Sequence, residues 1–188
     1  MDKRTLRSEL RAQRRAFVAR LDPALTRLHA LAIARILLVE AGDAKAVAAY
    51  VPCGFEADPL PFVELAAMGG RVTALPYFSS KTSPMSFRAW HSGEKMEPGP
   101  FGMEQPRAKA TEIEPHAVIV PLIGFDRRLF RLGQGGGHYD RYFAAHPHAR
   151  RIGLAWSAQE AERLPVDEWD IPLHTIVTER GVFQGSDQ

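Results

Sequence analysis

Residues 117–143 read AVIVPLIGFDRRLFRLGQGGGHYDRYF. Residues 117–125 carry no charge and predict a strand buried on both faces, the strongest in the chain and therefore central. Glycines at 133, 135, 136 and 137 form a loop directly after it, and HYDRYFAAH from His138 has helical character. Upstream, AVAAYVP, RVTALPY and MSFRAW read as strands; downstream, RIGLAW is another and HTIVTERGVF the last. DPLPFVELAAMGG opens on Asp-Pro and stops on glycine, the punctuation of a helix, and SAQEAERL reads as a short one. Strands alternating with helices over short connections predict one α/β domain across residues 1–188. Its central sheet is mainly parallel with helices on both faces, Rossmann-like in construction. Residues 91–116, rich in Gly, Pro, Glu and Lys, read as a surface connection.

Two helices precede the sheet. Residues 2–20 set Leu6, Leu10, Phe17 and Leu21 roughly on one face. Lys3, Arg4, Arg7, Arg11, Arg14, Arg15 and Arg20 stand against only Asp2 and Glu9, so this is a basic helix packed on the domain. For most of these arginines a solvated helix face is the simplest role. The second helix starts at an Asp22 N-cap with Pro23 in its first turn and stops at Gly42.

Composition narrows the classes. A chain of 188 residues, 45% hydrophobic and 24% charged, is long enough to bury a substantial core. It has no apolar run of membrane-spanning length, and its charged start lacks the apolar region of a secretory signal, so a cytoplasmic protein is expected. Cys53, the single cysteine, excludes an intramolecular disulfide and a cysteine zinc cluster. A net charge of +2 creates no global field for nucleic acid, and the basic helix lacks interleaved aromatics for base stacking. Small-molecule substrates and a monomer are expected.

The glycine loop carries the chemistry. Without side chains, its backbone N–H groups can approach an anion, and the helix that follows adds a favourable dipole. Arg127, Arg128 and Arg131 supply positive charge for phosphate oxygens. A P-loop would need Gly-Lys-Ser/Thr where His138, Tyr139 and Asp140 stand, and a dinucleotide fingerprint would need glycine at His138. Asp140 suits Mg²⁺ beside substrate phosphates, or else pairs with Arg141 or caps the helix.

PLIGFDRRLFRLGQGGGHYDRYF resembles the signature of the 5-formyltetrahydrofolate cyclo-ligase family, and the likeness spans nearly the whole chain. KRTLR at residues 3–7, YVPCGFEADP at 50–59, FGMEQP at 101–106 and WDIPLHTIVTE at 169–179 resemble further segments of that family in the same order. The resemblance implies an enzyme that uses ATP and Mg²⁺ to turn 5-formyltetrahydrofolate into 5,10-methenyltetrahydrofolate. It implies ATP binding by Lys3, Arg7 and the loop Arg131, Leu132, Gly133, Gln134, Gly135, Gly136, Gly137, His138 and Tyr139, with Arg131 and Asp140 catalytic. Substrate binding falls to Val51, Glu56, Met85, Phe101 and His138, and Mg²⁺ to Asp140; Asp167, or else Asp170, offers a second metal contact unless each simply caps or solvates a loop. This chain departs from the pattern where some members carry Arg at Gln134, Lys at Gly136 and Tyr or Phe at His138. Those departures leave open a non-catalytic nucleotide- or folate-binding relative; a third reading is a sugar-phosphate enzyme whose loop grips a phosphorylated substrate without ATP, supported only by Glu56 as its acid/base.

Overall fold

A computed structural model describes residues 2–183 and 185. Asp2 caps helix α1 (Lys3–Val18), accepting from the N–H groups of Arg4 and Thr5, and Asp22 caps helix α2 (Pro23–Glu40) in the same way. Strand β1 (Ala46–Ala48) leads through helix α3 (Leu60–Met68) to β2 (Val72–Tyr77), which folds back into β3 (Ser86–Ala89). Two-residue strands β4 (Glu97–Pro98) and β5 (Glu104–Gln105) then pair. Strand β6 (Ala117–Pro121) is followed by the ribbon β7 (Gly124–Phe125) and β8 (Arg131–Leu132), the glycine loop and helix α4 (His138–Ala145). Strands β9 (Arg150–Leu154), β10 (Thr175–Thr178) and β11 (Gly181–Phe183) complete the chain.

Seven strands form one sheet in the order β11-β10-β9-β6-β1-β2-β3. Strands β2, β1, β6, β9 and β10 are parallel neighbours, and β3 and β11 are antiparallel edges. Numbered along the chain, the parallel strands run 2-1-3-4-5, the flavodoxin-type order of a doubly wound sheet. In that order the crevice opens beyond the carboxyl ends of β1 and β6, where neighbouring connections leave in opposite directions.

Alternation along the strands divides the core. Val47, Leu75, Ile119, Ile152 and Val177 pack with Ile33 and Leu37 of α2 and Phe62 of α3. Val118, Val120 and Ile176 face the other way, onto Tyr142 and Phe143 of α4 and Phe87 of β3. Helices therefore lie on both sides of a mainly parallel sheet, as expected.

Four local expectations are corrected. The central strand stops at Pro121, because Gly124 and Phe125 leave the sheet to pair with Leu132 and Arg131. The glycine loop thus follows a hairpin, not the strand itself. SAQEAERL yields only a 3-10 turn, Ser157–Gln159: Gln159 spends its amide on Trp156 N–H and the carbonyls of Leu122 and Ile123, and Ala161 N–H donates to Phe125. HTIVTERGVF is not one strand but a hairpin, turning before Gly181 at φ +126°. The connection 91–116 contains the β4–β5 hairpin.

The basic helix docks through a close approach. Leu10 of α1 joins Ile123, Leu132 and Leu164 in a small cluster, and it lies where a side chain on Gly124 would have to sit. Gly124→Ala should force Leu10 aside and lower stability by about 1–3 kcal/mol, measurable as a reduced midpoint in urea with unchanged slope.

Candidate active site

A cleft of about 790 Å³ opens at the carboxyl ends of the strands. The loop after β1 gives Tyr50, Val51, Cys53 and Glu56, the end of β6 gives Pro121, and the whole loop 131–140 forms one wall. Every site residue that the family resemblance implies, from Lys3 and Arg7 through Val51, Glu56, Met85 and Phe101 to Asp167, lines this one cleft. Pro76 and Phe78 at the end of β2, together with Trp169 and Asp170, line it too.

Left-handed backbone shapes the glycine loop. Gly135 has φ +104° and Gly137, the N-cap of α4, has φ +61°. Arg7 of α1 reaches across and donates from Nε to the Gly133 carbonyl at 2.8 Å, and Arg11 donates to the Gln134 side-chain oxygen. The basic helix is thereby tied to the loop at two points.

Arg131 and Asp140 are paired. Arg131 Nη2 donates to Asp140 Oδ1 at 2.7 Å and Nη1 to the Ile171 carbonyl at 2.8 Å, while Ile171 N–H donates to the same Oδ1 at 3.2 Å. The open alternative for Asp140 closes on this point: its partner is Arg131, and Arg141 turns to the Gly136 carbonyl and the His138 ring. Asp140 also lies in the first turn of α4, where a negative charge meets the positive helix end. Arg127 and Arg128 do not line the cleft. Arg127 pairs with Glu160, and Arg128 neutralises the buried Asp126, so the sequence-based offer of both as phosphate cations is withdrawn.

Lys3 Nζ sits 2.7 Å from both Asp167 Oδ2 and Asp170 Oδ2. Partial burial works against the ammonium, but the two carboxylates outweigh it and raise its pKa above the ordinary value.

The Glu56 side chain, which lines the same cleft, is largely buried. Oε2 accepts from Cys53 N–H at 3.0 Å, and Arg14 Nη1 lies 3.6 Å from Oε1. Burial pushes its pKa up, against the pull of the Cys53 N–H, the Arg14 guanidinium and the Gln134 amide. Lining the same cleft is an aromatic wall in which Phe78, Phe101 and His138 meet edge to face, with ring centroids 4.9–5.4 Å apart. Phe78 is fixed by Gln105, whose amide makes hydrogen bonds to both the Phe78 N–H and its carbonyl. Burial, then the Arg141 charge, lowers the His138 pKa, which keeps the ring neutral near pH 7 and suits it to an aromatic wall.

A glycine loop held by Arg7 and Arg11, a largely buried carboxylate and a cluster of aromatic rings therefore share one crevice. The model of the 5-formyltetrahydrofolate cyclo-ligase family matches residues 1–179. The chain belongs to the 5-formyltetrahydrofolate cyclo-ligase family. It is 30% identical to the 5-formyltetrahydrofolate cyclo-ligase of Escherichia coli (strain K12) over 148 residues, which cover 75% of this chain and 81% of that one. Among solved structures it resembles the 5,10-methenyltetrahydrofolate synthetase of Aquifex aeolicus, with a TM-score of 0.81, 30% identity, and coverage of 100% of this chain and 95% of that one. The Mycoplasma pneumoniae 5,10-methenyltetrahydrofolate synthetase, at 24% identity, shares the fold with a TM-score of 0.72, over 95% of this chain and 99% of that one. Cyclo-ligase membership makes the chain an enzyme, a ligase of one-carbon metabolism.

Sequence reasoning overlooked Arg14. It was assigned to a solvated helix face, yet it is 7% exposed. The signal lay in its spacing, since Leu10, Arg14 and Phe17 fall on one helical stripe. Phe78 was also missed, because the end of a strand gives no local sign of what it will face.

Proposed function

We propose that the chain converts 5-formyltetrahydrofolate to 5,10-methenyltetrahydrofolate, consuming ATP with Mg²⁺ and releasing ADP and phosphate. The observation that carries this reading is the junction, in one crevice, of the cationic glycine loop with the aromatic wall and Glu56. A formamide carbon is a poor electrophile and its oxygen a poor leaving group. In the proposed reaction the formyl oxygen attacks the γ-phosphorus, and the bond from that phosphorus to the β,γ-bridging oxygen breaks. N10 then attacks the activated carbon and loses its proton, and the carbon–oxygen bond breaks to expel phosphate. Such chemistry calls for positioning and charge stabilisation without a dedicated protein nucleophile.

Each residue's part follows from its chemistry. Lys3, Arg7, Arg131 and the N–H groups of residues 133–139 hold the triphosphate. Glu56 accepts from the pterin N–H donors, and Val51, Met85, Phe101 and His138 border the ring. Asp140 fits Mg²⁺: among the described residues both of its hydrogen bonds fall on Oδ1, and Oδ2 keeps its lone pairs for a cation. Asp170, which precedes the Ile171 N–H that donates to Asp140, is better sheltered than Asp167 as a second carboxylate. The ion would neutralise charge on the phosphate oxygens.

Purified protein given 5-formyltetrahydrofolate, ATP and Mg²⁺ should generate the near-ultraviolet absorbance of methenyltetrahydrofolate, and omission of ATP or Mg²⁺ should abolish it. Absence of product from folded, ATP-binding protein would overturn the proposal. Gly135→Ala tests the phosphate cradle. Its Cβ would lie 3.4 Å from Arg7 Nη2 on a backbone at φ +104°, a strain of about 1–3 kcal/mol. The expected result is an ATP KM raised about 10-fold with folate binding unchanged, read by varying each substrate in turn.

A further inference from the structure

Arg14 lies behind the folate end of the cleft without lining it. Its Nη1 approaches Glu56 Oε1 at 3.6 Å, and among the described residues its Nε and Nη1 find no hydrogen-bond partner. A buried guanidinium so incompletely bonded is unfavourable for folding taken alone. Its one ionic contact among the described residues is the carboxylate that the proposed function assigns to the pterin.

We infer that Arg14 is a positioning residue for folate binding, holding Glu56 ionised and oriented so that its oxygens remain acceptors. This rests on the reading of Glu56 as the pterin's partner. Burial alone favours the protonated carboxyl, which would present a donor where the pterin also presents donors. The groups around Glu56 leave Arg14 as the source of compensating charge. The turn supplies only the Cys53 N–H, with its neighbouring thiol, and the glycine loop supplies the neutral Gln134 amide, which Arg11 engages. Tyr50 from the end of β1 and Tyr139 from α4 are phenols whose pKa values burial raises, so both stay neutral near pH 7. Asp58, two residues on, is itself raised by burial and adds no positive charge.

The sign of the effect is fixed. Losing the guanidinium raises the Glu56 pKa, so folate binding that needs the carboxylate is lost at neutral pH and recovered as pH rises. Binding of 5-formyltetrahydrofolate without ATP would be measured by calorimetry between about pH 6 and about pH 8.5 for wild type, Arg14→Met, Arg14→Lys and Glu56→Gln. Near-ultraviolet circular dichroism would verify folding of each. The expected result is Arg14→Met weakened about 10-fold at pH 7 with the deficit closing toward high pH, Arg14→Lys near wild type, and Glu56→Gln weak throughout. Arg14→Met binding like wild type, or weaker by one constant factor at every pH, would overturn the inference. If Arg14→Met does not fold, weak and pH-independent binding by Arg14→Lys would overturn it instead. Wild-type affinity in Glu56→Gln would defeat the assignment of Glu56, and with it the inference. Weak Glu56→Gln beside unimpaired Arg14→Met would defeat the inference alone.

Discussion

Asp140→Asn is expected to lower kcat about 10³-fold, equivalent to about 4 kcal/mol of transition-state stabilisation. The substitution keeps an oxygen for the Ile171 N–H and removes the charge proposed to hold Mg²⁺. It also removes the counter-charge of Arg131, whose side chain is only 5% exposed. Breaking such a buried pair costs about 3–5 kcal/mol, so a lower unfolding midpoint should accompany the lost activity. Assays below that midpoint separate the two effects, because a folded variant with wild-type kcat would exclude Asp140 from the reaction. Arg131→Lys would distinguish the partners: it keeps the charge but lacks the two-armed reach to Asp140 Oδ1 and the Ile171 carbonyl, and should lose less than Asp140→Asn.

Glu56→Gln should act on the other substrate. Hydrogen bonds to a charged acceptor contribute about 1.5–3 kcal/mol, so the KM for 5-formyltetrahydrofolate should rise about 10- to 100-fold. The KM for ATP and kcat at saturating folate should change little, because the amide removes binding to ground state and transition state alike. The same carboxylate sets the acid limb of folate affinity. Burial raises the Glu56 pKa, so affinity is full above that raised value and falls as pH drops through it, sooner than for a surface glutamate. In Glu56→Gln that limb should vanish. A KM unchanged by the substitution would exclude Glu56 from folate recognition.

Much of this was legible because periodicity and punctuation agree with tertiary structure here. The alternation of Val118, Ile119 and Val120 between two cores, the Asp22 cap and the Gly42 stop are local signals that packing did not override. The glycine loop was legible for a different reason, since its residue types are those an anion cradle requires. What escaped reading depended on partners distant in sequence. Residues 124–132 look like strand and loop, and only pairing between Gly124 and Leu132 makes them a hairpin that carries Arg131 toward Asp140. Gln159 ends a helical pattern because carbonyls 36 and 37 residues away claim its amide. Arginine is rarely buried, so composition assigned Arg14 to water although its spacing pointed inward. Arg127 sits beside the loop in sequence, yet Glu160, 33 residues on, claims it, and Arg128 is held between the neighbouring Asp126 and the distant Leu164 carbonyl.

In the proposed reaction the formyl oxygen is activated by phosphorylation and leaves as phosphate. The most direct test is one turnover experiment with 5-formyltetrahydrofolate carrying ¹⁸O in the formyl group, with ATP, Mg²⁺ and the purified protein, followed by mass analysis of the inorganic phosphate. The expected result is one ¹⁸O atom in the phosphate for each methenyltetrahydrofolate formed. Phosphate without label, with the ¹⁸O released to water, would contradict it.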